Sequence, residues 1–221
     1  AAIHKVKDSR KLNQAIDDEP GIIVQLAGTE PALIAEAARI MEARGAHTID
    51  LNFGCPARKV VTKASGSALM RDEALCADIF TVVRAAIDVP LTVKMRLGWD
   101  DDTFNAPKLA RLAEETGLDG ITVHGRTRCQ FYKGAADWVQ VGKVREATSL
   151  PLLVNGDICS LDDVDHAMAQ SSASGVMIGR AAQDQPWLLD QAVDHLAGRT
   201  PKAVPNAAAR REGLLDLLDR M

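Results

Sequence analysis

The sequence predicts an α/β protein with the TIM (β/α)8 barrel architecture, and six of the eight strands are visible in this chain. Short runs rich in Val, Ile and Leu alternate with helical patterns, which is typical of a parallel sheet buried on both faces. In successive strands, polar residues share one face and lie toward the C-terminal end. In a barrel those ends converge on the mouth, where barrel enzymes place their sites, whereas in an open doubly wound sheet they would not all meet. We therefore favour the barrel.

Six apolar segments have the length and composition of buried strands. Because side chains alternate along a strand, Asp50 and Asn52 share one face of the second segment, and Lys94 and Arg96 share one face of the third. The segments are residues 22–27, 48–52, 91–96, 120–124, 152–155 and 175–178.

The helices between these strands carry ordinary start and stop signals. Proline in the first turn, Asp or Ser as the capping residue and glycine after the last turn mark their ends. The first runs from Pro31 to Gly45, the next opens at Asp72, a third runs from Pro107 to Gly117, a fourth follows Ser160, and a fifth runs from Pro186 through Leu196.

Two barrel strands are missing from this pattern. Barrel phosphate sites commonly lie in the loops after the last two strands, and glycine-containing loops follow the fifth and sixth segments here. If those segments are strands seven and eight, the missing pair belongs at the N-terminus and the chain starts inside the second strand–helix unit. We expect residues 1–197 to form this N-terminally incomplete barrel, and residues 198–221 to form a linker and the first helix of a truncated helical domain.

Composition limits location and partners. No apolar run approaches the ~20 residues that a membrane helix needs, and residues 1–10 form no signal-peptide core. The four cysteines form no CxxC pair, which argues against a metal site and fits reduced thiols in a cytoplasmic protein. The formal net charge of −4 argues mildly against a nucleic-acid partner, although a local basic patch can act against an acidic average.

The loops after the last two strands are candidates for a phosphate site. Gly156, and Gly179 with Arg180, combine close backbone approach with free N–H groups and a cation, although ordinary turn glycines are the alternative. Lys94 would point into the barrel, where a cation is costly unless a polar partner meets it. That partner is either the N1/O2 edge of a reduced flavin or the carboxylate of Asp50.

Cys55 and His124 both lie at strand ends. Gly54 and Pro56 flank the thiol and indicate a tight loop over the mouth, where Cys55 could act as a general acid or as a nucleophile. The alternative for a cysteine is a small buried hydrophobe, which we expect of Cys76 and Cys159.

Basic residues crowd the loops at the same rim. A concentration of cations in an acidic protein indicates a large polyanionic substrate, and an ordinary solvated rim is the equally weighted alternative. They are Arg58, Lys59, Lys63, Arg71, Arg126, Arg128 and Lys133.

Several motifs together resemble the bacterial tRNA-dihydrouridine synthases, most closely their B type. The stretches Asn52-Phe53-Gly54-Cys55-Pro56 and His124-Gly125-Arg126-Thr127 are highly specific in combination. The resemblance covers about residues 20 to 197, and its matching stretches are 24–28, 49–56, 93–99, 121–127, 154–158 and 177–182, with Pro186 and Trp187.

This resemblance implies an FMN-dependent enzyme that reduces the C5–C6 double bond of a uridine in tRNA, with NADPH as the reductant of the flavin. Cys55 would donate a proton to C5 while hydride passes to C6, and the uridine would be turned out of the tRNA into the barrel mouth. The enzyme would be a cytoplasmic monomer without a metal. The resemblance assigns Gln25, Lys94 and His124 to the FMN ring or its ribityl chain, Asn155, Gly156, Asp157, Gly179 and Arg180 to the FMN phosphate, and Asn52 and Arg126 to the uracil, with Arg58 and Lys59 as further substrate contacts.

Two other readings stay open. One is an FMN barrel that acts on a free pyrimidine, as dihydroorotate and dihydropyrimidine dehydrogenases do, which would not need the basic rim. The other is a catalytically silent RNA-binding or regulatory protein on the same scaffold, against which the intact set of Cys55, Lys94 and His124 argues.

Overall fold

Six parallel strands form one sheet in a computed structural model that describes residues 21–57, 65–208 and 210–212. The strands are hydrogen-bonded in chain order, and every neighbouring pair is parallel. All six predicted strands are confirmed, and three have the predicted bounds. They are β1 (Ile23–Leu26), β2 (Thr48–Phe53), β3 (Leu91–Arg96), β4 (Gly120–His124), β5 (Leu152–Asn155) and β6 (Gly175–Met177).

Helices follow the strands as predicted, and side chains cap several of them. The Asp72 carboxylate accepts from the Leu75 backbone N–H at 3.0 Å, and Ser160 Oγ accepts from the Asp163 N–H at 3.1 Å. The α-helices are α1 (Pro31–Ala43), α2 (Glu73–Arg84), α3 (Ala106–Glu115), α4 (Trp138–Arg145), α5 (Leu161–Ser171), α6 (Ala181–Asp184) and α7 (Trp187–Leu196), and a 3₁₀ helix spans Gly66–Arg71. The sequence did not predict α4, α6 or the 3₁₀ helix.

The apolar core lies between the sheet and its helices. Strand residues on the outer face, such as Ile49, Val93 and Val123, are at most 2% exposed and pack in one cluster with helix residues such as Ile79 and Leu109. The other face of the same strands carries Asp50, Lys94 and the other polar residues. The core therefore fixes the strands from outside and leaves their concave face to the site.

The sheet is an arc of the TIM-barrel type. Within the described residues, β1 pairs with β2 and β6 with β5, and each keeps one edge without a strand partner. Ile23 on the β1 edge is 64% exposed. That two further strands complete the barrel at these edges remains a prediction.

The C-terminal part of the described chain leaves the barrel after α7. Residues 197–206 contain neither helix nor strand, and residues 207, 208 and 210–212 are helical. The rest of the predicted helix lies outside the described residues, so a second domain from residue 198 onward stays a prediction. Within the described part of the chain, we find no helix both long and apolar enough to cross a membrane.

Candidate active site

A cavity of about 670 Å³ opens at the C-terminal ends of the strands. Loops after β2, β4, β5 and β6 complete its wall. Each of the six strands contributes a residue to the lining. Five of these residues are polar, as the alternation along the strands predicted, and the sixth is Met177. They are Gln25, Asn52, Lys94, His124, Asn155 and Met177.

The loop that carries Cys55 is fixed by hydrogen bonds on both sides. Asn52 Oδ1 accepts the backbone N–H groups of Gly54 and Cys55 at 3.2 and 2.9 Å. On the other side, Arg96 Nε donates to the Gly54 carbonyl at 2.9 Å. Cys55 is half-buried and lines the cavity, so its thiol has access to a ligand there.

A chain of amide hydrogen bonds runs beneath this loop. Asn52 Nδ2 donates to Gln25 Oε1 at 2.7 Å, and Gln25 Nε2 donates to the Asp50 carboxylate at 2.6 Å. Backbone N–H groups can only donate, so the oxygen of Asn52 must face the Cys55 loop and the direction of the whole chain is fixed. Among the described residues, Asn52 and Gln25 each keep one N–H without a hydrogen-bond partner.

Lys94 lies at the centre of the concave face. Its ammonium donates to Asn155 Oδ1 at 3.1 Å, and Asn155 Nδ2 donates to the Met177 carbonyl at 2.8 Å. Burial, followed by the nearby Arg96 cation, lowers the pKa of Lys94. Asp50, the alternative partner from the sequence, is hydrogen-bonded instead by Gln25 and by Thr92 Oγ1, at 2.6 and 2.7 Å.

The loop after β5 turns sharply at Gly156 and Asp157, whose φ angles are +114° and +55°. Arg126 holds the Asp157 carboxylate through two contacts of 3.0 and 2.5 Å, and the Ala136 N–H adds a third at 2.8 Å. Burial alone would raise the pKa of Asp157, but these bonds bring it below its usual value. Arg180, from the loop after β6, lies 3.4 Å from the same carboxylate and is far more exposed than Arg126.

His124 ends β4 beside this loop and is 9% exposed. Burial, and then the cations of Arg96, Lys94 and Arg126, lower its pKa to about 3. The imidazole is therefore neutral at physiological pH.

Arg126 lies deeper than the sequence suggested. It is 2% exposed, and its guanidinium donates to Asp157 and to the carbonyls of Lys133 and Gly134. It is not among the residues that line the cavity. Its contact with uracil stays a prediction, and one that this geometry does not favour. Arg58, Lys59 and Lys63 of the predicted basic rim lie outside the described residues.

The structure adds residues that the sequence did not single out. Arg96 is 1% exposed, and its only sequence signal was the face that it shares with Lys94. Tyr132 lines the cavity, and the guanidinium groups of Arg96 and Arg180 lie 5.5 and 5.3 Å from the centre of its ring. The expectation of a buried Cys159 is wrong, because this thiol lies on the loop after β5, is exposed and lines the cavity.

Fold and site together define an α/β protein of the TIM-barrel class, with a cavity rich in hydrogen-bond donors where barrel enzymes bind their ligands. The chain belongs to the dihydrouridine synthase (Dus) family, whose model matches residues 1–221. The resemblance seen in the sequence is thus confirmed.

Curated relatives agree with this assignment. A probable tRNA-dihydrouridine synthase of Rickettsia bellii (strain RML369-C) is 52% identical over 200 residues, which are 90% of this chain and 61% of the relative. The tRNA-dihydrouridine synthase B of Xanthomonas axonopodis pv. citri (strain 306) is 43% identical over 97% of this chain and 64% of its own length. The chain thus spans about three fifths of the length of these relatives.

Solved structures support the fold alone. A mandelate racemase/muconate lactonizing family protein from Azoarcus sp. EbN1 matches 81% of this chain and 42% of its own with a TM-score of 0.56 and 22% identity. An N-succinyl Arg/Lys racemase from Bacillus cereus ATCC 14579 matches 76% of this chain and 42% of its own with a TM-score of 0.52 and 19% identity.

Proposed function

We propose that this chain is the catalytic barrel of a cytoplasmic, FMN-dependent tRNA-dihydrouridine synthase, which reduces the C5–C6 double bond of a uridine in tRNA. One observation carries the proposal: the Cys55 thiol, the Lys94 ammonium and the loop at Gly179 all border one cavity. Family membership and the names of the curated relatives support the same activity.

The residues of the cavity fit FMN. Its volume, about 670 Å³, lies within the range of roughly 300–1,000 Å³ that is usual for cofactor sites. Lys94 and the free N–H groups of Gln25 and Asn52 offer donors to a ring rich in carbonyl and ring-nitrogen acceptors. A Cβ on Gly179 would meet nothing closer than Asn155 Nδ2 at 3.9 Å, so this loop leaves room beside its backbone.

Two groups of residues would hold the cofactor. Gln25, Lys94 and His124 would contact the ring or the ribityl chain. Arg126 makes the closer pair with Asp157, at 2.5 Å against 3.4 Å for Arg180, so the more exposed Arg180 would turn to a phosphate. The phosphate group would be held by Asn155, Gly156, Asp157, Gly179 and Arg180. Reduced FMN, when bound, would supply the hydride for C6, and NADPH would return the oxidised flavin to its reduced form.

Cys55 would complete the reaction by protonating C5. Its S–H bond breaks as the proton passes to C5, and the thiolate regains a proton from water. Asn52 holds the Cys55 loop with its oxygen, so it would meet the uracil with its remaining N–H, a donor suited to a carbonyl. The cavity has no room for a folded tRNA, so the uridine must turn out of the tRNA to enter it.

Replacing Cys55 tests this role. In a bacterial strain without its own dihydrouridine synthases, the native protein should restore dihydrouridine in tRNA. Cys55→Ala should abolish that product, because the proton donor is lost, while the purified variant keeps its flavin. Mass spectrometry of the tRNA and the flavin absorption spectrum measure the two effects. Cys129→Ala, which removes an exposed thiol outside the cavity lining, is the matched control and should behave as the native protein. Wild-type dihydrouridine content in Cys55→Ala would rule out the acid role.

The size of the substrate separates this proposal from a free-pyrimidine enzyme. Of the predicted basic rim, Arg71 and Lys133 are exposed, and exposed cations suit a polyanion. We expect the native protein to reduce uridine in whole tRNA and to leave free uridine unchanged, with a rate that falls as salt screens the phosphate contacts. Equal rates on free uridine and tRNA would favour the free-pyrimidine reading.

A further inference from the structure

Arg126 and His124 are joined in a way that fixes where the imidazole carries its proton. The guanidinium Nη1 of Arg126 lies 3.2 Å from His124 Nε2. A guanidinium has donors only and keeps its charge in proteins. Nε2 must therefore accept this hydrogen bond, and the single proton of a neutral ring must reside on Nδ1.

The His124 ring is neutral because it is buried and because three cations and only one carboxylate surround it. Lys94 and Arg96 face it from β3, Arg126 from the loop after β4, and Asp157 from the loop after β5. Burial and the three cations outweigh the one carboxylate and depress the pKa of His124 to about 3. The neutral ring has two possible tautomers, and the hydrogen bond from Arg126 favours the one that is protonated on Nδ1.

Both partners are held in place. Arg126 is fixed by the Asp157 carboxylate, at 3.0 and 2.5 Å, and by the Lys133 and Gly134 carbonyls, at 3.1 and 2.6 Å. Gly156 packs on the same edge of the imidazole, since a Cβ there would lie 2.7 Å from Cδ2 and 2.9 Å from Nε2. The Nε2 edge is thus enclosed by protein.

Nδ1 has no hydrogen-bond partner among the described residues, and His124 lines the cavity. We propose that Arg126 is a positioning residue that locks His124 in the Nδ1–H tautomer, so that the histidine offers the cavity a donor and never an acceptor. A ligand atom that meets this nitrogen must be an acceptor, such as a carbonyl oxygen or an unprotonated ring nitrogen. That this ligand is FMN rests on the proposed function, but the lock itself does not.

The tautomer can be observed directly. In the native protein labelled with 15N-histidine, a two-bond 1H–15N correlation spectrum distinguishes the protonated from the bare ring nitrogen. The chain has 5 histidines, and His124→Gln identifies the signals of His124 by their loss. We expect a neutral Nδ1–H ring between about pH 6 and 8, the range in which an ordinary histidine titrates. A proton on Nε2 would overturn the proposal.

Variants of Arg126 test whether this residue determines the tautomer of His124. Arg126→Met removes the donor, and both tautomers should then appear. Arg126→Lys keeps a charge beside Asp157 but lacks the planar guanidinium that reaches two partners, so it should also give a mixture of tautomers. This variant replaces Arg126→Met in the test if the methionine variant does not fold. Arg111→Met, on the exposed face of α3, is the matched control and should leave the spectrum unchanged. A pure Nδ1–H ring in a folded Arg126 variant would contradict the proposal.

Cofactor affinity gives a second readout. Only the Nδ1–H fraction of the ring can donate, so a roughly equal mixture of tautomers should weaken FMN binding about twofold in the Arg126 variants. Unchanged affinity beside a mixed tautomer would show that the donor does not serve the cofactor. The spectrum concerns the protein alone, so failure of the lock and failure of the proposed enzyme activity are separable.

Discussion

His124 illustrates how a single residue at this site ties function to stability. Its ring is kept neutral by burial and by neighbouring cations, with a pKa of about 3 against an ordinary value of 6.5. Between these two values the unfolded chain binds a proton that the folded chain does not. His124 therefore costs stability as pH falls below about 6.5.

Unfolding by urea at two pH values tests this cost. Each pH unit below about 6.5 should remove up to about 1.4 kcal/mol from the free energy of unfolding through this group. Between pH 7 and about pH 4.5, the wild type should therefore lose about 2.5 kcal/mol more than His124→Gln. His166→Gln, on an exposed position of α5, is the control and should follow the wild type. Equal losses in wild type and His124→Gln would show that the ring titrates normally.

At the scale of elements, strands were predictable because their apolar runs are nearly continuous. Bounds of β3, β4 and β5 agree with the sequence to the residue, since each is buried against helices. Helix α4 was not predicted, because its apolar residues do not form a regular pattern. Its exposed Val139, at 57%, stands beside the buried Val141 and Val144, and Gly142 interrupts the apolar pattern, so no clear apolar stripe is visible in the sequence.

The turn after β5 needs a glycine because of its backbone conformation and because of the close approach of His124. Comparison with a second glycine separates the two effects. Gly156 has a φ of +114°, and a Cβ there would lie 2.7 Å from His124 Cδ2. Gly198 also has a positive φ, +68°, but a Cβ there would meet nothing within 4 Å.

We expect Gly198→Ala to reduce the free energy of unfolding by about 1 kcal/mol, the usual cost of the left-handed conformation. Gly156→Ala should cost about 3 kcal/mol or more, because the contact with His124 adds to the backbone strain. Chemical denaturation measures both. A Gly156→Ala variant no less stable than Gly198→Ala would mean that the loop opens easily away from His124.

At the scale of the whole molecule, the site exists only because separate strands bring their ends together. The polar residue near the end of each of the first five strands was readable from the sequence, and so was the convergence of Gln25, Lys94 and Asn155. The loops were less predictable, because their course depends on hydrogen bonds between distant segments. Arg126 looked like a rim cation but is buried against Asp157, which lies 31 positions further along the chain. Cys159 looked like a core residue but faces the cavity.

Binding of FMN in this cavity is tested most directly by the flavin absorption spectrum of the purified native protein. We expect a bound flavin that is released as FMN when the protein is denatured. Lys94→Met should retain much less of it, because the buried cation at the centre of the cavity is lost, whereas Lys143→Met, on an exposed position of α4, should retain it fully. A native protein that carries no flavin and takes up none from added FMN would contradict the account.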